Sequence, residues 1–352
     1  MRLWPASTAE HPKQFIALVG ERSLFQETVL RVRAIDGALA PVIVVGAAHL
    51  GAARAQLAAI DVKATLLVEP QGRDSGPALI AAALWIARTD PAAIALAVSS
   101  DHHIPDAVAF AASVKSAAMA AQRGEIVTFG VAPHHPATAF GYIEPGAATQ
   151  GAAGVRRVIR FIEKPDAVRA AAFVGAGYLW NSGNFVFRVD ALLGQAALHA
   201  PRMLDAVQAS IVSCVNRDGV VEIGARFLEA PKLSIDVAVM EKTAAAAVLA
   251  IDYAWSDLGS WRAVWAASAK DAAGNAVSAQ AAAPMSENCL IRADDGVQVL
   301  AVGLKNIAVI VHNGQVLVCD LDASADLKVA IAALPGPSPA ANEGIAQTEP
   351  QR

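Results

Sequence analysis

The chain has 352 residues, 55% of them hydrophobic, and a formal net charge of −4. That length suggests about two domains, the apolar content excludes a disordered chain, and the charge argues against a nucleic-acid partner, which would need clustered Lys and Arg. The most apolar stretch, "PALIAAALWIAR" (77–88), breaks at Arg88, short of the ~20 residues that span a bilayer, so no membrane partner is expected.

No basic segment followed by an apolar core opens the sequence, so no secretory signal is read. Cys214, Cys289 and Cys319 are odd in number and lack the paired spacing of a zinc site. They read as reduced thiols of a cytoplasmic protein.

In chain order, "PVIVVG" (41–46) predicts a buried strand and "LGAARAQLAAI" (50–60) a helix. "ATLLVEP" (64–70) predicts a second strand, and Pro77 opens the helix over 77–88, where a missing N–H costs nothing. "AAIALAVSSD" (92–101) follows as a strand, then a helix over 107–123 and a strand at "EIVTFGVA" (125–132). This alternation predicts a doubly wound α/β sheet, mixed but mostly parallel and Rossmann-like. "FGYIEPG", "VRRVIRFIEKP" and "NFVFRV" read as further strands, 190–229 as helical, and "SIDVAVMEKT", "AAVLAID" and "GSWRAVWAASA" as the close of a domain over 1–266. An Ala-, Ser- and Gly-rich linker is expected at 267–287. Residues 288–334 then read as a small C-terminal β domain of stacked turns, left-handed β-helix-like, with a terminal helix. The Pro-rich tail 335–352 reads as disordered.

In an open α/β sheet, ligands bind at the carboxyl ends of the strands. Polar residues gather there: Glu69 and "QGRDSG" after "LLV", Asp101 after "ALAVSS", Glu163-Lys164 after "VIRFI", and Asp257 after "VLAID". Asp101 and Asp257 suit a magnesium ion carrying phosphates, which takes one or two protein carboxylates. Taken alone, they read equally as a turn cap and a surface turn residue. Lys13 and Lys164 are candidate phosphate clamps, or solvated loop lysines. Asn181 and Ser182 in "GYLWNSGNF" (177–185) could offer amide donors to a polyhydroxylated ligand, or form an ordinary hairpin turn. Adjacent strand histidines point to opposite faces, so His102-His103 and His134-His135 read as solvated loop residues. No P-loop, dinucleotide fingerprint or nucleophile elbow is present.

Nine stretches in order ("RLWP…HPKQF", "GERSLFQETVLR", "EPQGRDSGPA", "SSDHHI", "FGYI", "FIEKP", "WNSGNFVF", "SIDVAVMEK" and "WSDLGSW") resemble the sugar-1-phosphate nucleotidylyltransferases over about residues 2–265. The likeness is strongest to the branch that joins GTP and mannose 1-phosphate into GDP-mannose and diphosphate. By that resemblance Asp101 and Asp257 hold Mg²⁺, and Arg2 and Lys13 grip the triphosphate. Glu69, Gly72, Arg73 and Asp74, with Asp101, make up the nucleotide side. Lys164 binds the sugar phosphate, Glu163 the sugar hydroxyls, and Gly141, Tyr142 and Asn181 complete that pocket. A cytoplasmic enzyme of polysaccharide biosynthesis is implied, and the exposed edges that small β domains of stacked turns often have would allow a homo-oligomer.

The sequence also departs from the family. Arg73-Asp74-Ser75-Gly76 stands where the family reads R-N-T-A, and Arg2 follows Met1 where the family has a buried strand and a G-G-x-G-T-R loop. Omitting a central strand would leave two strand edges open. Either the coding start lies upstream, or the chain is a non-catalytic, nucleotide-sugar-binding remnant. A related transferase with another base or sugar is the remaining alternative.

Overall fold

The computed structural model describes residues 3–294 and 296–334. These pack as two units, one of residues 10–258 and one joining the described residues up to Ala9 with those from Gly259 onward. The tail expected over 335–352 lies outside the described residues.

The larger unit alternates helices and strands in its first half: α1 (Leu24–Arg33), β1 (Val42–Gly46), α2 (Leu50–Ala59), β2 (Thr65–Glu69), α3 (Ser75–Ala87), β3 (Ile94–Ala97), α4 (Ala107–Ala121) and β4 (Ile126–Val131). Local chemistry sets the helix starts. Ser23 Oγ accepts from Gln26 N–H while the Gln26 side chain accepts from Ser23 N–H, a capping box for α1. Asp106 caps α4 by accepting from Ala109 N–H at 2.9 Å. The second half holds β5 (Tyr142–Ala148), β6 (Val155–Ile162), α5 (Ala167–Gly175), β7 (Leu179–Arg188), α6 (Val189–His199), α7 (Pro201–Val212), β8 (Val215–Arg217), β9 (Val220–Glu222) and β10 (Ala246–Ile251).

Its strands form two mixed sheets, in the orders β1-β2-β9-β8 and β3-β7-β4-β10-β6-β5. β1, β2 and β9 run parallel, as do β4 and β10. Helices cover both faces of the longer sheet. On β10, Val248 packs with Ile80, Phe187 and Leu192, while Ala247 and Leu249 pack with Phe110 and Phe129 on the other side. β1 and β3 each pair on one side only among the described residues. Their residues are mostly half-buried, whereas β4 is almost entirely buried. A cavity of about 110 Å³ lies beside β1, lined in part by Phe25, Ile43, Val44 and Ser100.

Two segments differ from expectation. The helical reading of 190–229 fails at β8 and β9, an antiparallel hairpin whose turn residues Asp218 and Gly219 have φ of 52° and 82°. Asp-Gly supplies the two positive φ values of a type I′ turn. β7 is also longer than "NFVFRV": it begins at Leu179 and continues through the Asn- and Ser-containing segment with a bulge against β4, where Gly183 has φ 70°.

The smaller unit contains α8 (Trp261–Ala267), β11 (Ala276–Val277), β12 (Ala281–Ala282), β13 (Leu290–Arg292), β14 (Val299–Leu300), β15 (Ile307–His312), β16 (Gln315–Asp320) and α9 (Leu327–Ile331). β11, β13 and β15 run parallel with β16 as an antiparallel edge, and β12 pairs in parallel with β14. Stacked turns produce such parallel ladders. The stretch expected as a linker thus contributes β11 and β12 to this unit. Trp261 is fully buried and donates from Nε1 to the Trp4 carbonyl at 2.9 Å, which fastens the N-terminal segment here.

Candidate functional site

Two loops meet beyond the carboxyl ends of β3 and β10. His103 and Ser256 exchange backbone hydrogen bonds of 2.9 and 3.0 Å, zipping the loops together. The neighbouring carboxylates, Asp101 and Asp257, are carried on these loops. Lys13, at the start of a single 3-10 turn, reaches both: its Nζ lies 3.0 Å from Asp101 Oδ2 and donates to the backbone carbonyl of Asp257. Burial would push the Asp101 carboxyl up, but His102 and Lys13 outweigh it and hold the group below the usual carboxylate range. Arg2, the other expected triphosphate ligand, lies outside the described residues.

His102 is not the solvated loop residue expected. Its Nδ1 accepts from Trp255 Nε1 at 3.3 Å, and Nε2 lies 3.7 Å from Asp101 Oδ1. Burial lowers its pKa, with the charge of Asp101 acting against that. His103 is likewise half-buried, whereas His134 and His135 are exposed and flank Trp180 edge-on.

The loop after β2 carries the expected nucleotide-side residues. Glu69 is buried, its Oε1 has no hydrogen-bond partner, and burial raises its pKa to about 7. Gly72 is exposed with open space around it. Arg73 Nη1 donates to the Ala230 carbonyl at 3.2 Å, and Asp74, at φ 70°, caps α3 by accepting from Ser75 N–H at 2.8 Å. Gly76 matches a close approach: a Cβ there would stand 2.5 Å from the Leu233 carbonyl oxygen.

A second cluster forms where β5, β6 and β7 adjoin. Asn181 N–H donates to the Gly141 carbonyl at 2.8 Å. A Cβ on Gly141 would lie 2.6 Å from Glu163 Oε2 and 3.3 Å from Asn181 Cβ, so glycine is what lets these side chains converge. Lys164 sits at φ 45° with its Nζ 2.8 Å from Glu163 Oε1, a bond that raises the lysine pKa. A lysine in this left-handed region marks a backbone held by its surroundings. Tyr142 does not bring its side chain to the cluster. The ring is fully buried with Ala170, Tyr178 and Trp180, which leaves only its backbone at the site.

Sequence reasoning gave no role to Asp236, which accepts from Asn181 Nδ2 at 2.8 Å, or to Glu241, which accepts from Glu163 N–H at 3.1 Å. Both lie in "SIDVAVMEK", where a lone acid before an apolar run was the available signal. β7 ties the clusters together, since Asn184 Oδ1 accepts from Ser99 N–H at 3.3 Å three residues beyond Asn181. Among the described residues, no group of three or more His, Cys, Asp or Glu side chains is placed to hold a metal. Lys13 joins the Asp101 carboxylate to the backbone carbonyl of Asp257, which holds the two loops' acidic residues beside one ammonium.

Comparison with known proteins places this geometry in a family. Residues 1–274 match the Nucleotidyl transferase family. The chain is 38% identical over 334 residues to a mannose-1-phosphate guanylyltransferase of Escherichia coli, covering 94% of this chain and 70% of that one. It is 38% identical over 330 residues to the alginate biosynthesis protein AlgA of Pseudomonas aeruginosa, covering 93% of this chain and 68% of the relative. A solved structure from Thermus thermophilus, described as a mannose-1-phosphate geranyltransferase, superposes with a TM-score of 0.81 at 26% identity, covering 94% of this chain and 95% of that one. The chain therefore belongs to the nucleotidyl transferase family, among the mannose-1-phosphate guanylyltransferases.

Proposed function

We propose that the chain transfers the guanylyl group of GTP to α-D-mannose 1-phosphate, giving GDP-mannose and diphosphate. The observation that carries this reading is the 38% identity to a mannose-1-phosphate guanylyltransferase across 94% of the chain. The two side-chain clusters supply what the reaction needs.

A phosphate oxygen of the sugar phosphate attacks the α-phosphorus of GTP, and the bond to the β-phosphate oxygen breaks in line. Such transfer rests on positioning and charge neutralisation. Lys13, together with Arg2, grips the triphosphate. Glu69, Gly72, Arg73 and Asp74 take the base and ribose. Lys164 binds the phosphate of mannose 1-phosphate, Glu163 accepts from its hydroxyls, and Asn181 and the backbone of Gly141 and Tyr142 close the pocket. Asp101 and Asp257 would hold Mg²⁺, which supplies neutralisation of the charge that develops on the leaving diphosphate.

This reading includes a cytoplasmic setting, and among the described residues no helix is long and apolar enough to cross a membrane. It includes a role in polysaccharide biosynthesis, the alginate relative being named for such a process. It also includes a homo-oligomer: edge strand β16 exposes Val316 and Val318. The test is diphosphate release with each of the four common nucleoside triphosphates against mannose and glucose 1-phosphates. GTP with mannose 1-phosphate should give the highest kcat/KM. A higher value for any other pair, or no turnover, overturns the proposal.

A further inference from the structure

No role falls to Asp236 in the reaction proposed above, yet its carboxylate is bonded to a residue of the sugar pocket. Asn181 has one carbonyl oxygen and two amide hydrogens to satisfy. Its Oδ1 accepts from the buried Thr128 hydroxyl at 2.7 Å and from Gly183 N–H at 3.2 Å. One hydrogen of Nδ2 goes to Asp236 Oδ1 at 2.8 Å. These three bonds fix which end of the amide is oxygen and which nitrogen. They saturate the acceptor and leave a single N–H uncommitted.

Asp236 is itself held in place. It begins a π-helical turn, Asp236–Met240, an uncommon geometry that recurs at functional sites. The residue before it donates from Ile235 N–H to Ser75 Oγ at 3.1 Å, and Leu233 O accepts from Gly76 N–H at 3.1 Å. The turn is thereby docked on the start of α3. Burial and the nearby Glu163 charge push the Asp236 carboxyl up to about 6, while the bond from Asn181 and the charge of Lys164 act against them.

We infer that Asp236 is a positioning residue that sets sugar specificity. By holding Asn181 as a donor-only amide beside Glu163, it makes the pocket require a hydroxyl that accepts from Asn181 and donates to Glu163. A hydroxyl does both at once, and an epimer that turns it away loses both bonds. Discrimination of this kind is large because the buried polar groups are then left unpaired. The inference rests on the sugar-phosphate reading of this cluster.

Asp236→Leu removes the acceptor and puts a bulkier apolar side chain at this half-buried position. In the diphosphate-release assay it should raise KM for mannose 1-phosphate about tenfold and cut the preference over glucose 1-phosphate by a similar factor, with KM for GTP changed less than about twofold. Asp236→Asn, which keeps an acceptor oxygen, should stay within about threefold of the native chain. In an Asn181→Ala background, Asp236→Leu should add less than about twofold, because the positioned group is gone. Should the leucine variant fail to fold, Asp236→Ala carries the same expectations. Equal shifts in both KM values, independent multiplication of the two single effects, or damage by Asn equal to that by Leu overturns the inference. A native chain that makes no GDP-mannose overturns the pocket reading and this inference with it. A native chain that does, with any of the preceding outcomes, overturns the inference alone.

Discussion

Glu69 is buried at the end of β2 with an unpartnered carboxylate oxygen, and its raised pKa makes it a reporter of pH. The folded state favours the protonated form, so its stability contribution is full below the unfolded pKa near 4.5 and is lost as pH rises through about 7. The difference from 4.5 to about 7 corresponds to a loss on the order of 3 kcal/mol. Glu69→Gln stays neutral, so melting curves of the two chains should be close at pH 4 and separate by pH 8, with the glutamine variant the more stable. Parallel curves would show that Glu69 finds a partner when ionised. Asp101 has the opposite shift: paired with Lys13, it is ionised throughout the neutral range. Asp101→Asn removes the charge that opposes Lys13 and that would meet the metal, and should lower kcat by at least ~100-fold. Near-native turnover would take Asp101 out of the catalytic machinery.

The docking of α3 shows how an element places a site. Its first turn is fixed by Gly76 N–H on the Leu233 carbonyl and by Ser75 Oγ, which accepts from Ile235 N–H. A Cβ at position 76 would meet the Leu233 oxygen at 2.5 Å. Gly76→Ala should therefore destabilise the chain by about 1–3 kcal/mol, although alanine is the better helix former by up to about 1 kcal/mol. A chemical-denaturation midpoint at or above the native one would show that the 230–235 segment yields instead. The apolar runs made β1 to β4 and the helices between them legible in the sequence, because buried strands and Pro77 leave strong local signals. β7 was less legible: Asn181, Ser182 and Asn184 interrupt its apolar run, yet they bond to Thr128, Ser99 and one another inside the sheet. The β8–β9 hairpin carried a readable signal in Asp218-Gly219, hidden inside a stretch read as helix. β11 and β12 are two residues each in an alanine-rich segment, and only pairing with β13 and β14 defines them. The site divides in the same way. Lys13, Asp101 and Glu163 stand out as polar residues at strand ends or in loops, but the meeting of Asp101 with Asp257 depends on a backbone bridge between His103 and Ser256. Asp236 owes its place to a π-helical turn that no periodicity encodes.

At the scale of the whole molecule, the chain's first described residues pack in one unit and Lys13 belongs to the other. Leu3 and Ala6 are buried, and Trp261 holds the Trp4 carbonyl through its indole N–H at 2.9 Å. The described residues up to Ala9 are thus tethered by α8, a helix more than two hundred residues away in sequence. Trp261→Phe keeps most of the buried ring and removes the N–H, leaving the Trp4 carbonyl without its donor, at a cost of about 1–3 kcal/mol. Trp4 and Trp261 belong to the same unit, so the loss should read as a lowered chemical-denaturation midpoint. Trp261→Ala should lower stability further, by about 3–5 kcal/mol, through the cavity it opens. For the phenylalanine variant, a midpoint equal to the native one would show that another donor takes the Trp4 carbonyl when the indole N–H is gone.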